Sequence, residues 1–229
     1  MSFSHSPKTA TTGLVLYLDA ANLMSYKGTG LVWKDLTQNK NDVTASTTIG
    51  LTKFKGALGF NFDTTGKYFY SSTFKNSPAT DATLEAWIYP AAAEVSAGDR
   101  GTIILNNGTS GLYMSWNKST EKLSNYWYSH PTEGYHENAA ASARSAWHHW
   151  VSVWNNSTGL LYQYTDGVKA STDASTVGNS PGGSSLNIGQ ESSDRQFAGG
   201  IAIIKIYNFP LSTTQVVQNF NALRGRFGI

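Results

Sequence analysis

Three groups of side chains in this sequence have the types that chemistry needs. The first is acidic: Asp81 and Glu85 flank Thr83 on an apolar run that stops at Pro90. Retaining hydrolysis of a glycosidic bond takes two carboxyl groups about 5–5.5 Å apart. Alternation along a strand would put a partner for Glu85 at position 83 or 87, where the sequence has Thr83 and Trp87. Asp81 borders a loop, so catalysis is not expected and Glu85 reads as a structural residue. The second group is histidine. His148 and His149 are neighbours on a strand, face opposite ways and cannot share one ion. His130 and His136 fall close to Glu133 and Glu137, without a recognisable zinc spacing. The third group is aromatic. Residues 125–136 carry Tyr126, Trp127, Tyr128, His130 and Tyr135. Such rings stack on sugars while Asn, His and Glu hydrogen-bond hydroxyls, and the same residue types mark the cores of protein interfaces. They also cap domain cores, so three readings stay open.

The elements that must position these groups are strands. Residues 147–154 and 160–164 are rich in aromatic and β-branched types that fit a pleated, half-buried surface. Alternation places Trp147, His149, Val151 and Val153 on one face and His148, Trp150, Ser152 and Trp154 on the other. A turn cluster at 155–159 joins the arms, and Asp166-Gly167 signals a tight turn into a third strand near 168–171. Further strands are expected at 13–19, 83–89, 101–105, 111–116, 123–128, 186–189 and 199–207. Residues 57–62 and 67–70 are expected to pair with each other around the turn 63–66, while 171–185 reads as a surface loop. One helix is expected at about 212–224. Ser212 is its N-cap with Gln215 completing a capping box, Val216, Phe220 and Leu223 form its stripe, and Gly225 ends it. About a dozen closely spaced strands and one late helix make an all-β, two-sheet antiparallel sandwich. It would occupy residues 13–229, preceded by an extended polar arm at 1–12 that docks on a neighbouring subunit or on its own domain.

Composition narrows the function. The chain has 229 residues, 40% of them hydrophobic and 13% aromatic, which excludes a disordered polymer. With 17 basic against 15 acidic residues and no basic run, nothing points to nucleic acid or an anionic membrane surface. Zero cysteines exclude disulfides and thiolate metal sites. Residues 1–12 lack the apolar run of a signal peptide, and no stretch approaches a membrane span.

Taken in order, residues 13–20, 33–36 with Asn39 and Asn41, 84–89, 147–151, Tyr162 with Asp166-Gly167, 186–189 and 200–208 followed by Leu211-Ser212 resemble the laminin-G-like branch of the concanavalin A-like lectin/glucanase jelly rolls. The resemblance covers roughly residues 13–224 and implies a jelly-roll sandwich. Residues 14–26 and 222–228 are further similar to stand-alone domains among structural proteins of tailed bacteriophages. That finer resemblance implies a non-enzymatic virion protein made in the host cytoplasm, a capsid decoration or tail component. Its expected partners are other virion subunits, in a homo-oligomer. The alternative is a lectin-like module binding a surface glycan through Tyr126, Trp127, Tyr128, His130 and Tyr135. A glycoside hydrolase is the remote third, since the Glu-x-Asp-x-Glu strand of the sandwich hydrolases is missing here. The resemblance also implies that a calcium ion could sit at a sheet rim on Asp35, Asn39, Asn41 and Asp42, or on Asp19 and Asn22, although Asp and Asn also form such turns without metal.

Overall fold

The computed structural model describes residues 8–107, 111–128, 134–137, 140–170, 174–175 and 183–229. Seventeen strands and one helix occur among them. In chain order they begin with β1 (Leu14–Asp19), β2 (Val32–Trp33), β3 (Val43–Ala45), β4 (Leu51–Phe54), β5 (Ala57–Phe62) and β6 (Phe69–Ser71). The middle of the chain forms β7 (Ala82–Pro90), β8 (Arg100–Asn107), β9 (Gly111–Asn117), β10 (Lys122–Tyr128) and β11 (Gly134–Glu137). Then come β12 (His148–Asn155), β13 (Leu160–Thr165), β14 (Val168–Lys169), β15 (Ala174–Ser175), β16 (Ser185–Ile188), β17 (Gly199–Tyr207) and the helix α1 (Thr213–Phe227). This helix is neither long nor apolar enough to cross a membrane.

Two antiparallel sheets form, as the turn-rich alternating pattern requires. One holds nine strands in the order β14-β13-β12-β7-β17-β5-β4, with β1 also on β17 and β15 also on β13. The other holds eight, in the order β11-β10-β9-β8-β16-β6-β3-β2. The expected alternation decides which side chains lie between them. Ala82, Leu84, Ala86 and Ile88 of β7 join Trp150 and Trp154 of β12 and Ile201, Ile204 and Ile206 of β17 in the inter-sheet core. There they meet Leu112, Met114 and Trp116 of β9, and Trp116 stacks on Trp150 at 5.5 Å. The opposite faces of β7, β12 and β17 send Trp87, Trp147, Val151, Val153 and Tyr207 under α1. The two faces read from residues 147–154 are therefore the two faces observed. The Asp166-Gly167 turn also forms, with both residues at positive φ, 52° and 78°, as a tight hairpin turn needs.

Three sequence expectations are corrected. Residues 57–62 and 67–70 do not pair: β5 lies in the nine-stranded sheet and β6 in the eight-stranded one. The chain crosses between layers at 63–68, because Phe60 and Phe62 meet Phe69 across the core, with ring centroids 4.7 and 6.4 Å apart. Residues 134–137, read as loop, form strand β11 against β10. Within 171–185, read as surface loop, Ala174–Ser175 pairs with β13 and Ser185 opens β16; 171–173 and 176–182 lie outside the described residues.

The helix has the expected capping box at Ser212 and Gln215 but runs past Gly225 to a left-handed Gly228 cap. Its last turn is fastened by tertiary contacts. Phe227 stacks on Trp87 at 4.1 Å, and Arg226 Nη1 donates to both carboxylate oxygens of Asp19 at 2.8 and 2.9 Å. Of the polar arm, the described part lies on its own domain. The Ala10 N–H donates to Asn219 Oδ1 at 2.7 Å, and the Gln218 amide reaches the Lys8 carbonyl.

Candidate functional site

Among the described residues, two clusters of titratable side chains lie on the outer faces of the two sheets. On the nine-stranded sheet, Glu85 of β7 is fully buried beneath α1. Lys205 Nζ of β17 lies 2.9 Å from its Oε1 and His149 Nε2 of β12 lies 3.2 Å from the same oxygen. The Asn219 amide of α1 donates to Oε2 at 2.6 Å, and the Tyr207 hydroxyl stands 3.4 Å from it. Burial alone would raise the Glu85 carboxyl, but the Lys205 charge and the His149 contact overrule it and hold the group down at about 2. Burial and the same carboxylate push the Tyr207 hydroxyl up. Burial likewise pushes Tyr17, on which Lys205 Nζ sits at 5.2 Å from the ring, to about 12. Every oxygen of Glu85 faces a protein donor, so this cluster fastens a helix to a sheet and has no room for a substrate. Asp81 is spent elsewhere, accepting the Asn156 N–H at 2.8 Å.

The outer face of the eight-stranded sheet is different. Tyr68, Tyr70, Asn187, Gln190 and Glu191 line a cavity of about 250 Å³. That lies just below the usual range for ligand pockets, about 300–1,000 Å³, and suits a shallow subsite better than an engulfed cofactor. Tyr70 of β6 is 42% exposed and pairs in register with Asn187 of β16. The Tyr68 and Tyr70 rings lie 5.9 Å apart, tilted by 50°. The segment after β16 forms the wall. Gln196 pins that segment by donating to the carbonyls of Gly189 and Lys67, at 2.7 and 2.8 Å. Gly189 must be glycine there: its φ is 94°, and a Cβ would stand 2.1 Å from the Phe62 ring. Glu191 receives Arg195 Nη1 at 3.1 and 3.2 Å and the Tyr113 hydroxyl at 3.1 Å, which aims its carboxylate beside the cavity. Gln190 Oε1 accepts the Gly66 N–H at 3.1 Å, leaving its amide nitrogen to donate. Among the described residues the Asn187 amide and the Tyr68 and Tyr70 hydroxyls have no protein partner. Such groups around an aromatic pair are what a polyhydroxylated ligand needs.

Backbone register lines the aromatic segment up with this cavity. Tyr135 of β11 pairs with Tyr126 of β10, Tyr126 with Tyr113 of β9, and Tyr113 with Leu105 of β8. Leu105 pairs with Asn187, and Asn187 with Tyr70. In backbone register, Tyr126 and Tyr135 therefore stand in line with Asn187 and Tyr70. Trp127 pairs in backbone register with Leu112. The side chains of Tyr126, Trp127, Tyr128 and Tyr135 lie outside the described ones. His130 lies outside the described residues, as does Glu133. Asn125 of the same segment is buried between the sheets, accepting from Ser152 Oγ at 2.7 Å and Gln163 Nε2 at 2.5 Å. Tyr68, Tyr70, Asn187, Gln190 and Glu191 went unread in the sequence. Their one signal was an aromatic alternation at 68–70 that also marks any strand.

The turn residues raised for calcium are occupied by the protein. Asp35 Oδ1 accepts the N–H groups of Tyr17 and Thr37 at 3.0 and 2.9 Å, and Oδ2 accepts the Asn41 N–H and the Thr37 hydroxyl at 2.9 and 2.7 Å. Asp42 accepts the Asp35 N–H at 2.9 Å. Asn39 and Asn41 both donate to the Val15 carbonyl, and Asn41 Oδ1 accepts the Lys75 N–H. Asp19 serves Arg226, and Asn22 accepts the Met24 N–H. Among the described residues no three His, Asp or Glu side chains are placed to hold a metal ion. His148 and His149 do point apart, His148 to Asp166 at 2.9 Å and His149 to Glu85.

Comparison with known proteins rests on this sandwich. The family model described as concanavalin A-like lectin/glucanases superfamily, of laminin G type, matches residues 63–217, more than half of the chain. The chain belongs to that superfamily. Solved lectin/glucanase-like structures similar to it include the binding domain of a paraclostridial mosquitocidal protein, with 15% identity and TM-score 0.72 over 92% of this chain and 52% of that one. The ligand binding domain of botulinum neurotoxin serotype D, solved with N-acetylneuraminic acid, has 13% identity and TM-score 0.68 over 91% and 50%. Domain 4 of an extracellular arabinanase from Geobacillus stearothermophilus, solved with arabinotriose, has 16% identity and TM-score 0.64 over 90% and 97%. The chain thus spans about half the length of the two toxin domains and nearly all of the arabinanase domain. The comparison with curated proteins finds no match.

Proposed function

We propose that this member of the lectin/glucanase superfamily is a non-catalytic carbohydrate-binding module whose site is the outer face of the eight-stranded sheet. One observation carries the reading: among the described residues, the Tyr68 and Tyr70 hydroxyls, the Asn187 amide and the Gln190 amide nitrogen stand without a protein partner at a cavity beside the fixed carboxylate of Glu191. Sugar rings stack on tyrosine faces, and their hydroxyls pair with amides and carboxylates. Two of the similar domains were solved with sugars, which agrees with the reading. The candidate carboxylate for hydrolysis, Glu85, is enclosed by its own partners, which favours binding over catalysis.

The virion reading draws on sequence resemblance at 14–26 and 222–228. Its proposed docking arm is, from Lys8 onward, engaged by α1 of the same chain. The glycan reading therefore leads. A glycan array followed by calorimetry tests it: wild-type protein should bind a defined set of glycans, and Tyr70→Ala should lose at least ten-fold in affinity with an unchanged melting temperature. Absence of binding across the array, or binding indifferent to Tyr70→Ala and Asn187→Ala together, would overturn it.

A further inference from the structure

Resting on that reading of the site, we infer that a second subsite at Lys27 and Lys34 takes a carboxylate or sulfate of the same oligosaccharide. A neutral residue of that ligand fills the tyrosine cavity. The second subsite is a cavity of about 200 Å³ at the edge strand β2, with Lys27, Thr29, Val32 and Lys34 among the residues lining it. It lies on the same face as the first. Val32 pairs in register with Thr44 of β3, Thr44 with Tyr70, and Tyr70 with Asn187. Directly paired residues share a face, and their strand neighbours Trp33, Val43, Phe69 and Leu186 all join the inter-sheet core. Val32 and Tyr70 are each 42% exposed and Thr44 is half-buried, so the row between the cavities offers open surface. At about 4.8 Å between strands, Tyr70 and Val32 stand roughly 10 Å apart, more than one sugar ring covers.

The charge follows from what lines each end. Lys27 and Lys34 are the charged side chains among the described residues lining the β2 cavity, and both are exposed. Among the described residues neither ammonium has a protein partner. Asp35, next to Lys34, is buried and spent on the N–H groups of Tyr17, Thr37 and Asn41, and Asp42 accepts the Asp35 N–H. The loop that carries Lys27 is held in place. The Tyr26 hydroxyl donates to the Gly30 carbonyl at 3.0 Å, and the Lys34 N–H donates to the Ser25 carbonyl at 2.8 Å. Gly28 and Gly30 supply the positive φ, 88° and 95°, that the turn needs. At the other end Glu191 lines the tyrosine cavity with Arg195 already bound to it, so an acidic group placed there would meet a carboxylate. The negative group of the ligand therefore belongs at β2, where two ammonium groups can donate to it. That difference between the two ends sets the direction in which the oligosaccharide lies.

The experiment titrates wild-type protein by calorimetry with matched pairs of probes. These are sialyllactose against lactose, glucuronic-acid-bearing against plain xylo-oligosaccharides, and sulfated against unsulfated galacto-oligosaccharides. In at least one pair the acidic member should bind about ten-fold tighter at low salt, and about 0.5 M salt should remove most of that margin. Lys27→Gln together with Lys34→Gln should erase the margin, keep the affinity for the neutral member and leave the melting temperature unchanged. Tyr70→Ala should weaken both members alike. Equal affinity for the acidic and neutral members of every pair, or a margin that survives the double lysine variant, would overturn this inference and leave the carbohydrate-binding reading intact. Failure of every probe, with the protein folded by its melting curve, would overturn both.

Discussion

The outer faces of the two sheets are built from similar materials and end in opposite states. Each collects aromatic rings, amides and a carboxylate held by a cation. On the nine-stranded sheet, Glu85 meets Lys205, His149, Asn219 and Tyr207, and α1 closes over them until none touches water. On the eight-stranded sheet, Glu191 meets Arg195 and Tyr113, yet Asn187, Tyr68 and Tyr70 beside it stay open and unpaired among the described residues. A polar cluster whose carboxylate oxygens are all taken by protein donors in a dry site stabilises the fold and has no carboxylate oxygen left for a ligand. A half-completed one on a rigid sheet is where binding can occur.

The contrast can be broken from the closed side first. Lys205→Met leaves Glu85 buried without its cation, and it should destabilise the protein by about 3–5 kcal/mol in urea unfolding. Replacing both, Glu85→Leu with Lys205→Met, should recover most of that loss, because the pair owes much of its value to mutual compensation. A single-variant cost below about 1 kcal/mol would mean that the cluster does not hold the helix.

The pH dependence is next in size. Glu85 titrates at about 2 when folded against an ordinary 4.5, so the unfolded chain takes up the proton first as pH falls. Its contribution is fully present above pH 4.5 and is lost as pH falls through about 2. Thermal melts between pH 7 and 2 should show that decline, and Glu85→Gln should flatten it.

Gly225 offers a smaller change of the opposite sign. It sits inside α1 with open space where a Cβ would go. Gly225→Ala should therefore stabilise the closed face by about 1 kcal/mol and leave glycan affinity unchanged. The smallest stability effect belongs to the open face: Tyr70→Ala should shift stability by less than about 0.5 kcal/mol by denaturant titration, while binding falls. A large loss of stability there would make Tyr70 a structural cap.

The sequence carried the fold where a pattern is local. Alternation at 147–154 sorted Trp150 from Val151 correctly, Asp166-Gly167 made its turn, and Ser212 with Gln215 capped the helix. The Asx residues at 35–42 served as turn formers because each side chain reaches a backbone group a few residues away. Pairings that depend on distant partners were not legible. Residues 57–62 and 67–70 look like a hairpin, and only the meeting of Phe60, Phe62 and Phe69 across the core assigns them to different sheets.

The site divides the same way. By itself, the sequence determined that Glu85 lacks a carboxylate partner on its strand, that the two histidines diverge, and that the stretch near Tyr126 is unusually aromatic. Only the tertiary structure decided that Tyr70 pairs with Asn187 across two strands and that Glu191, 121 positions after Tyr70 in the chain, is held beside them. The physical reason is that a strand fixes which face a side chain takes, but strand order and register are set by how two whole sheets bury their apolar sides together.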